Sequence, residues 1–443
     1  MRMAASIERE TDIAAREADS ILARAGALLP GSGPVVDART QAFGEFSKRG
    51  LPNRRVEEWK YTDLRALLGN VLSSVSAPDD AALALAGAWL DEHAQEFPAR
   101  LVLVDGYFIP SLSHAGDVAG LQVLSLRDVL ENTANQARGD LLQNAIDDPI
   151  IALNAAMASD GIIVNVADGA VLDRPIHILH LGTQSDTASF SRSFLKMGAG
   201  ARASIVETYA GLAGAANQAF DTMIVWMNDG AELNHVRLVQ DAPDTVRVSS
   251  AGFTLHEKSR LNVFNLATGG RVSRYQAFAR FVGEGAHADI CGAHLLRGNQ
   301  HADMTLVLDH VAPHCTSRES FRAVLDDQSR SVFQGKIVVQ AEAQKTDAQM
   351  MTRALLLSDD AEMDNKPELE IYADDVACGH GATCGGLDED LLFYLRARGL
   401  PQAEAQALLV QAFVGDVIEA VPDEALREML AFQATRWLGA IAS

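Results

Sequence analysis

Between Asp375 and Leu400 the chain reads DVACGHGATCGGLDEDLLFYLRARGL, which places Cys378, His380 and Cys384 within seven residues. Thiolate sulfur and imidazole nitrogen are soft or borderline donors, suited to zinc, copper(I) or iron–sulfur units. The pattern C-x-H-x3-C matches no closed tetrahedral zinc motif, and no second pair of ligands at a fixed spacing completes it. On these residues alone, a metal site, a redox pair and the glycine-rich corner of a larger fold all stay open. Two other short stretches carry the same chemistry: CGAH supplies Cys291 and His294, and HVAPHC supplies His310, His314 and Cys315. A cysteine on a strand is usually a small buried hydrophobe, so Cys291 and Cys315 are expected to be structural.

Other chemistry lacks its signatures. There is no G-x-x-x-x-G-K-[ST] phosphate loop, so ATP hydrolysis by the usual route is not expected. No G-x-S-x-G elbow, H-E-x-x-H pair or dinucleotide fingerprint falls in the context it needs. Carboxylate neighbours such as Asp374 with Asp375 and Asp326 with Asp327 arise readily by chance. The formal charge of −22 argues against gripping nucleic acid through its phosphates and against anionic membrane surfaces. No apolar run reaches the ~18 residues of a membrane-spanning helix. The first twenty residues lack the apolar core of a secretion signal, and their early Glu8, Glu10 and Asp12 disfavour a transit peptide. Four cysteines in 443 residues make no disulfide framework, so a cytoplasmic location is expected.

What must position the cysteine–histidine stretch is read from the changes in texture along the chain. Residues 7–29 place Ile13, Ile21, Leu22, Ala25 and Leu28 at helical spacing before Pro30 and Gly31. VDARTQAFGEFSKRG predicts a second helix ending at Gly50, and RRVEEWKYTDLRALL a third, shorter element. From about residue 100 to 380, short apolar runs such as LVLVDGYFI, GIIVNV, IHILHL, MIVWM, RLNVFNLA and KIVVQ predict strands. No helix-length segment separates them over much of 160–350, which excludes a doubly wound α/β fold.

The turns repeat. ADGAVLD, GAGARAS, NDGAELN, HEKSRLN and GEGAHAD put Gly169, Gly200, Gly230, Ser259 and Gly285 at one point of a recurring phrase, at intervals of 31, 30, 29 and 26 residues. A beat of that length is the mark of a solenoid whose coils stack, and glycine suits corners that need positive φ. A β-sandwich or barrel is the competing reading. After Gly386 helices return: Asp388 as N-cap, then Leu391, Leu392 and Leu395 as an apolar stripe, with Arg396 and Arg398 before Gly399. Leu391, Leu392, Phe393, Leu408 and Phe413 are expected to serve helix packing. Further helices are expected after Pro401 and after Pro422–Asp423. The expectation is a mainly β protein, a right-handed parallel β-helix over 101–386 flanked by helical domains at 1–100 and 387–443.

KPELEIYADDVACGHGAT, LPNRRVEEWKYTDLRALL (residues 51–68) and ALNAAMASDGIIVNVADGAVLDRPIHILHL (152–181) together resemble the SufB/SufD family of the bacterial Suf iron–sulfur cluster assembly machinery, and its SufD branch in particular. The SufB branch typically carries a Glu-His-Glu-Ala-type phrase where this chain has CGHGAT. The resemblance implies a non-enzymatic scaffold that joins a SufB-like paralogue and the SufC ATPase, with a homodimer when isolated. It implies that Cys378 and His380 lie at the interface between the two paralogues and hold a transient iron–sulfur cluster or iron there, with none tightly bound in the isolated chain. Cys384 departs from the apolar residue common in the family, so a structural role is expected for it. The helical carboxyl-terminal region would dock the ATPase, with Asp388, Glu389, Arg396 and Arg398 as its expected contacts. The alternatives weighed are a carbohydrate-active enzyme on a β-helix and a plain metal-binding interaction module.

Overall fold

The computed structural model describes residue 21 and residues 28–93, 99–116, 118–144, 146–212 and 214–439. The first expected helix, over 7–29, lies mostly outside them. Helix α1 (Pro34–Arg49) opens on proline and buries Val35, Arg39, Ala42, Phe43 and Phe46, a stripe of period three to four. It stops at Gly50, whose positive φ of 63° suits a residue without Cβ. The predicted third element is a 3-10 turn (Glu57–Trp59) followed by α2 (Leu64–Leu68), which Asp63 caps through the Ala66 amide. Next come α3 (Asp80–His93), α4 (Leu126–Glu131) and α5 (Pro149–Met157). Every residue of α5 is buried, and it packs with α1 and Trp59 against Phe190, Phe220 and Val248 of the first sheet.

From Ile162 to Gly385 the backbone winds through about eight coils, each giving one strand to each of two parallel sheets. The first sheet runs from Ile162–Val166 to Glu362–Ile371, the second from Ile176–Gly182 to Ala377–Gly385. Strands alternate inward and outward, so Ala288 and Ile290 enter the core between the sheets while Cys291 and Ala293 face outward. Equivalent side chains of successive coils stack: Phe190 on Phe220 at 5.0 Å and Phe281 on His310 at 4.1 Å between ring centres.

The predicted corner is real and longer than the glycines reveal. Gly169, Gly200, Gly230, Lys258, Gly285, His314 and Lys345 all hold φ between 54° and 70°. Each donates its amide to a carbonyl of the next coil at 2.7–3.2 Å, ending with Lys345 to Asp375. Ser259 is therefore one residue late as a corner position; Lys258 occupies it. A left-handed non-glycine residue costs about 1–2 kcal/mol, which the inter-coil hydrogen bond helps to offset.

The two ends of the solenoid differ. At the amino-terminal end both sheets finish in antiparallel strands, Leu121–Ser125 and Tyr107–Phe108. At the other end, Glu362–Ile371 and Ala377–Gly385 each have a sheet partner on one side only among the described residues. Three helices follow: α6 (Glu389–Ala397), α7 (Gln402–Ile418) and α8 (Glu424–Gly439). Val410, Val414, Val417, Leu426, Leu430 and Trp437 of α7 and α8 pack on outward residues of the second sheet, among them Val236, Phe264, Cys291 and Val324. Among the described residues no helix is long and apolar enough to cross a membrane.

The 51–68 block proves to be a clasp across the first sheet. Trp59 is buried beneath the Arg274 guanidinium at 3.8 Å, and Arg274 donates to the Glu58 carbonyl at 2.8 Å. Arg274 and Thr62 both bond the fully buried Asp303, and Thr62 also meets His301 at 2.9 Å. Lys366, on the last strand of the first sheet, reaches Glu57 at 2.6 Å.

Candidate functional site

The cysteine–histidine stretch, for which the sequence leaves a glycine-rich corner open, is an extended strand, the last of the second sheet. Its glycines (Gly379, Gly381, Gly385) alternate with Cys378, His380, Ala382 and Cys384. Register settles which way these point. Cys378 pairs with Ala348, His380 with Met350 and Cys384 with Ala354, and all three partners belong to the core between the sheets. Because side chains in register share a face, Cys378, His380 and Cys384 turn toward the lumen of the final coil. Among the described residues no further coil covers them. Cys378 is half-buried against the core, while His380 and Cys384 are exposed.

Across the lumen, Met363, Asn365, Pro367, Leu369 and Ile371 share the face of the buried Phe333, Ile337 and Val339. The rim is thus a thiol- and imidazole-bearing strand opposite an apolar one. Ile371 and its neighbour Tyr372 are exposed large hydrophobic residues. Burial raises the Cys378 thiol, and the carboxylates of Asp347 and Glu319 add to this; burial also raises Cys384. These thiols stay protonated until a cation or partner lowers them. Among the described residues no group of three or more His, Cys, Asp or Glu side chains is arranged to hold a metal ion.

One residue near this rim went unnoticed in the sequence. Glu319 lies in the strand Thr316–Leu325, in register with Met350 and through it with His380, so it faces the same lumen two strands deeper. It is 2% exposed, and neither carboxylate oxygen makes a hydrogen bond of good geometry, although the Ser317 hydroxyl is close enough to favour the charge slightly. Burial pushes its carboxyl up to about 8. The signal was its place in TSRESFRAVL, at an inward position of an alternating strand. Glu207, farther up the lumen, shows the contrast. Burial alone would raise it, but His180 at 3.2 Å, His235 at 2.8 Å and Arg237 at 3.4 Å hold it well below the usual carboxylate range.

The thiols and imidazoles of CGAH and HVAPHC lie elsewhere in the fold. Cys291 is buried beneath the carboxyl-terminal helices, and burial drives its thiol to about 12. Cys315 is buried beside the His314 corner, its Sγ 3.3 Å from the Gly283 carbonyl. His294 meets Ser331 at 2.8 Å and His310 stacks on Phe281; burial lowers them to about 3 and about 4.

Asp388 caps α6 by accepting from the Leu391 amide at 3.0 Å, as its position predicts. Glu389 and Arg396 are exposed, and Arg398 covers the Tyr394 ring at 4.8 Å. The expected packing role fails for this helix: α6 buries no residue, and Leu391, Phe393, Tyr394 and Leu408 of α7 are all exposed. Leu391, Phe393 and Tyr394 therefore leave large apolar side chains on the surface of α6.

Residues 180–413 match the model of the SUF system FeS cluster assembly SufBD core domain, and residues 28–178 that of the SufBD protein N-terminal region. The chain belongs to the SufBD family. It is 31% identical over 399 residues to the iron–sulfur cluster assembly protein SufD of Escherichia coli strain K12, covering 88% of this chain and 90% of that one. It is 28% identical over 417 residues to an iron–sulfur cluster assembly SufBD family protein of Synechocystis, covering 89% of each. SufD of Bacillus subtilis strain 168 is 25% identical over 284 residues, 63% of this chain and 65% of its own. The resemblance drawn from three sequence blocks thus extends over nearly the whole chain. It makes this a member of an iron–sulfur cluster assembly family of the Suf system.

Proposed function

We propose that this chain is a non-enzymatic, cytosolic scaffold subunit that joins a SufB-like paralogue and lends Cys378 and His380 to a cluster assembled between them. One observation carries the reading: the terminal strand turns both side chains into a lumen that, among the described residues, is uncapped and whose last strands have no sheet partner on the outer side. Unpaired backbone groups at a sheet edge template another strand. The edge of a second β-helix would satisfy them, cover Ile371 and Tyr372, and bring its own ligands to face this rim. A cluster that must be passed on is better held by a few donors across a separable interface than by a complete cage. Cys384 shares the face of Cys378 and His380 but lies at the far, exposed end of the strand, so a supporting role suits it better. In the isolated chain the same edge would pair with a second copy.

The exposed apolar face of α6 supports a second contact. Leu391, Phe393 and Tyr394 lie between Asp388 and Glu389 at one end of the helix and Arg396 and Arg398 at the other, a composition suited to docking the SufC ATPase. Nucleotide-driven movement of that partner would then bias the rim between open and closed states.

The test is co-purification from native cells of a complex holding this chain, a second β-helix protein and an ATPase. Cys378→Ala and His380→Ala should each lower anaerobic cluster build-up in that complex while leaving its composition and circular dichroism unchanged. Full cluster yield in both variants would remove the ligand role. An Ile371→Lys variant that still assembles normally would remove the edge-pairing role.

A further inference from the structure

We infer that the cleft between α3, the outer face of the second sheet and α8 binds a small planar aromatic anion, a ring system carrying a phosphate. The cleft holds about 880 Å³, within the range of small-molecule sites of about 300–1,000 Å³. It lies on the outside of the solenoid, away from the lumen that opens at the Cys378 rim.

Its walls combine rings and positive charge. Trp89 and His93 of α3 stack at 4.2 Å and 16° on one side. Phe432 and Trp437 of α8 form the other, and Phe432 is 58% exposed. Two guanidiniums lie over these rings, Arg297 at 5.0 Å from Trp437 and Arg436 at 5.9 Å from Phe432. The one carboxylate among the described lining residues, Asp241, is engaged by Arg247 at 2.6 and 2.8 Å. In a chain of net charge −22, a concave surface with two arginines and no unengaged carboxylate favours an anion. Arginine fork geometry suits phosphate, and aromatic faces suit a heterocycle.

An independent observation points to a ligand. Thr208 lies on the floor of the cleft, 2% exposed, and its hydroxyl makes no hydrogen bond. Its strand turns Ala203, Ile205 and Tyr209 to the core, so Thr208 faces outward into the cleft. Buried hydroxyls are almost always partnered, and a polar ligand atom would supply what this one lacks.

Isothermal titration of the full chain with adenosine monophosphate, adenosine and inorganic phosphate as separate probes tests the assignment. Adenosine monophosphate should bind one to one, with each half alone at least about tenfold weaker. Arg436→Gln should weaken the monophosphate about tenfold and leave adenosine unchanged, whereas Phe432→Ala should weaken both. Both residues are exposed, so these variants should keep the wild-type unfolding midpoint. Absence of saturable binding at millimolar monophosphate would overturn the assignment. So would binding indifferent to both substitutions, or inorganic phosphate binding as tightly as the nucleotide.

Discussion

Replacing Glu319 with glutamine should stabilise the chain, and by an amount that grows with pH. The carboxyl is sealed in the lumen, Asp289 adds repulsion, and only Arg318 and the Ser317 hydroxyl oppose it. Its folded-state affinity for a proton is therefore raised, from an ordinary value of 4.5 to about 8. The sign follows by linkage. Below pH 4.5 both folded and unfolded chains hold the proton and the group costs nothing. Between pH 4.5 and 8 only the folded chain holds it, so stability falls tenfold in the folding constant per pH unit. By pH 7 the accumulated loss is about 3 kcal/mol, and above pH 8, where the buried group ionises, it levels off. Glutamine keeps the volume and cannot ionise. Urea unfolding of wild type and Glu319→Gln, followed by tryptophan fluorescence from pH 5 to 8.5, should give midpoints that diverge as pH rises. The gap should widen by about 3–4 kcal/mol over that range. Parallel profiles would refute the reasoning, because they would mean that the carboxyl is hydrated or ion-paired in the native state.

Arg274→Ala should cost about 3–5 kcal/mol, because it strands the Asp303 charge and uncovers Trp59; the replacement of both Arg274 and Asp303 by apolar residues should recover much of that, as read by urea midpoints. Gly283→Ala would place its Cβ 2.0 Å from the Glu257 backbone nitrogen, so soluble yield and melting temperature should both fall sharply. Of the four cysteines, Cys378 and Cys384 should react with a thiol reagent in the native chain, while Cys291 and Cys315 react only after unfolding; a native count of four would contradict their burial.

The stacked-coil fold was legible where one strand's own composition announced burial. IHILHL and RLNVFNLA need no neighbours to be recognised. TSRESFRAVL does, since its polar inward residues Ser317 and Glu319 are enclosed only by coils about 30 residues away in sequence. Lys258, His314 and Lys345 hid three corners because positive φ is imposed there by the inter-coil hydrogen bond and no glycine marks it. Cys378 and His380 could be singled out from residue type, but not their shared orientation, because interleaved glycines made a strand resemble a turn. For α6 the helix was predictable from its cap and charges, whereas its bareness depends on what lies beside it in space.

The unlike ends of the solenoid bear on stoichiometry. A body with a bare sheet margin at both extremities could add copies without limit and grow into a fibre. Here one extremity ends in antiparallel strands of only five and two residues, short margins that offer little backbone to a further copy, whereas the other ends in parallel strands of ten and nine residues, so growth from both extremities is disfavoured by the topology itself.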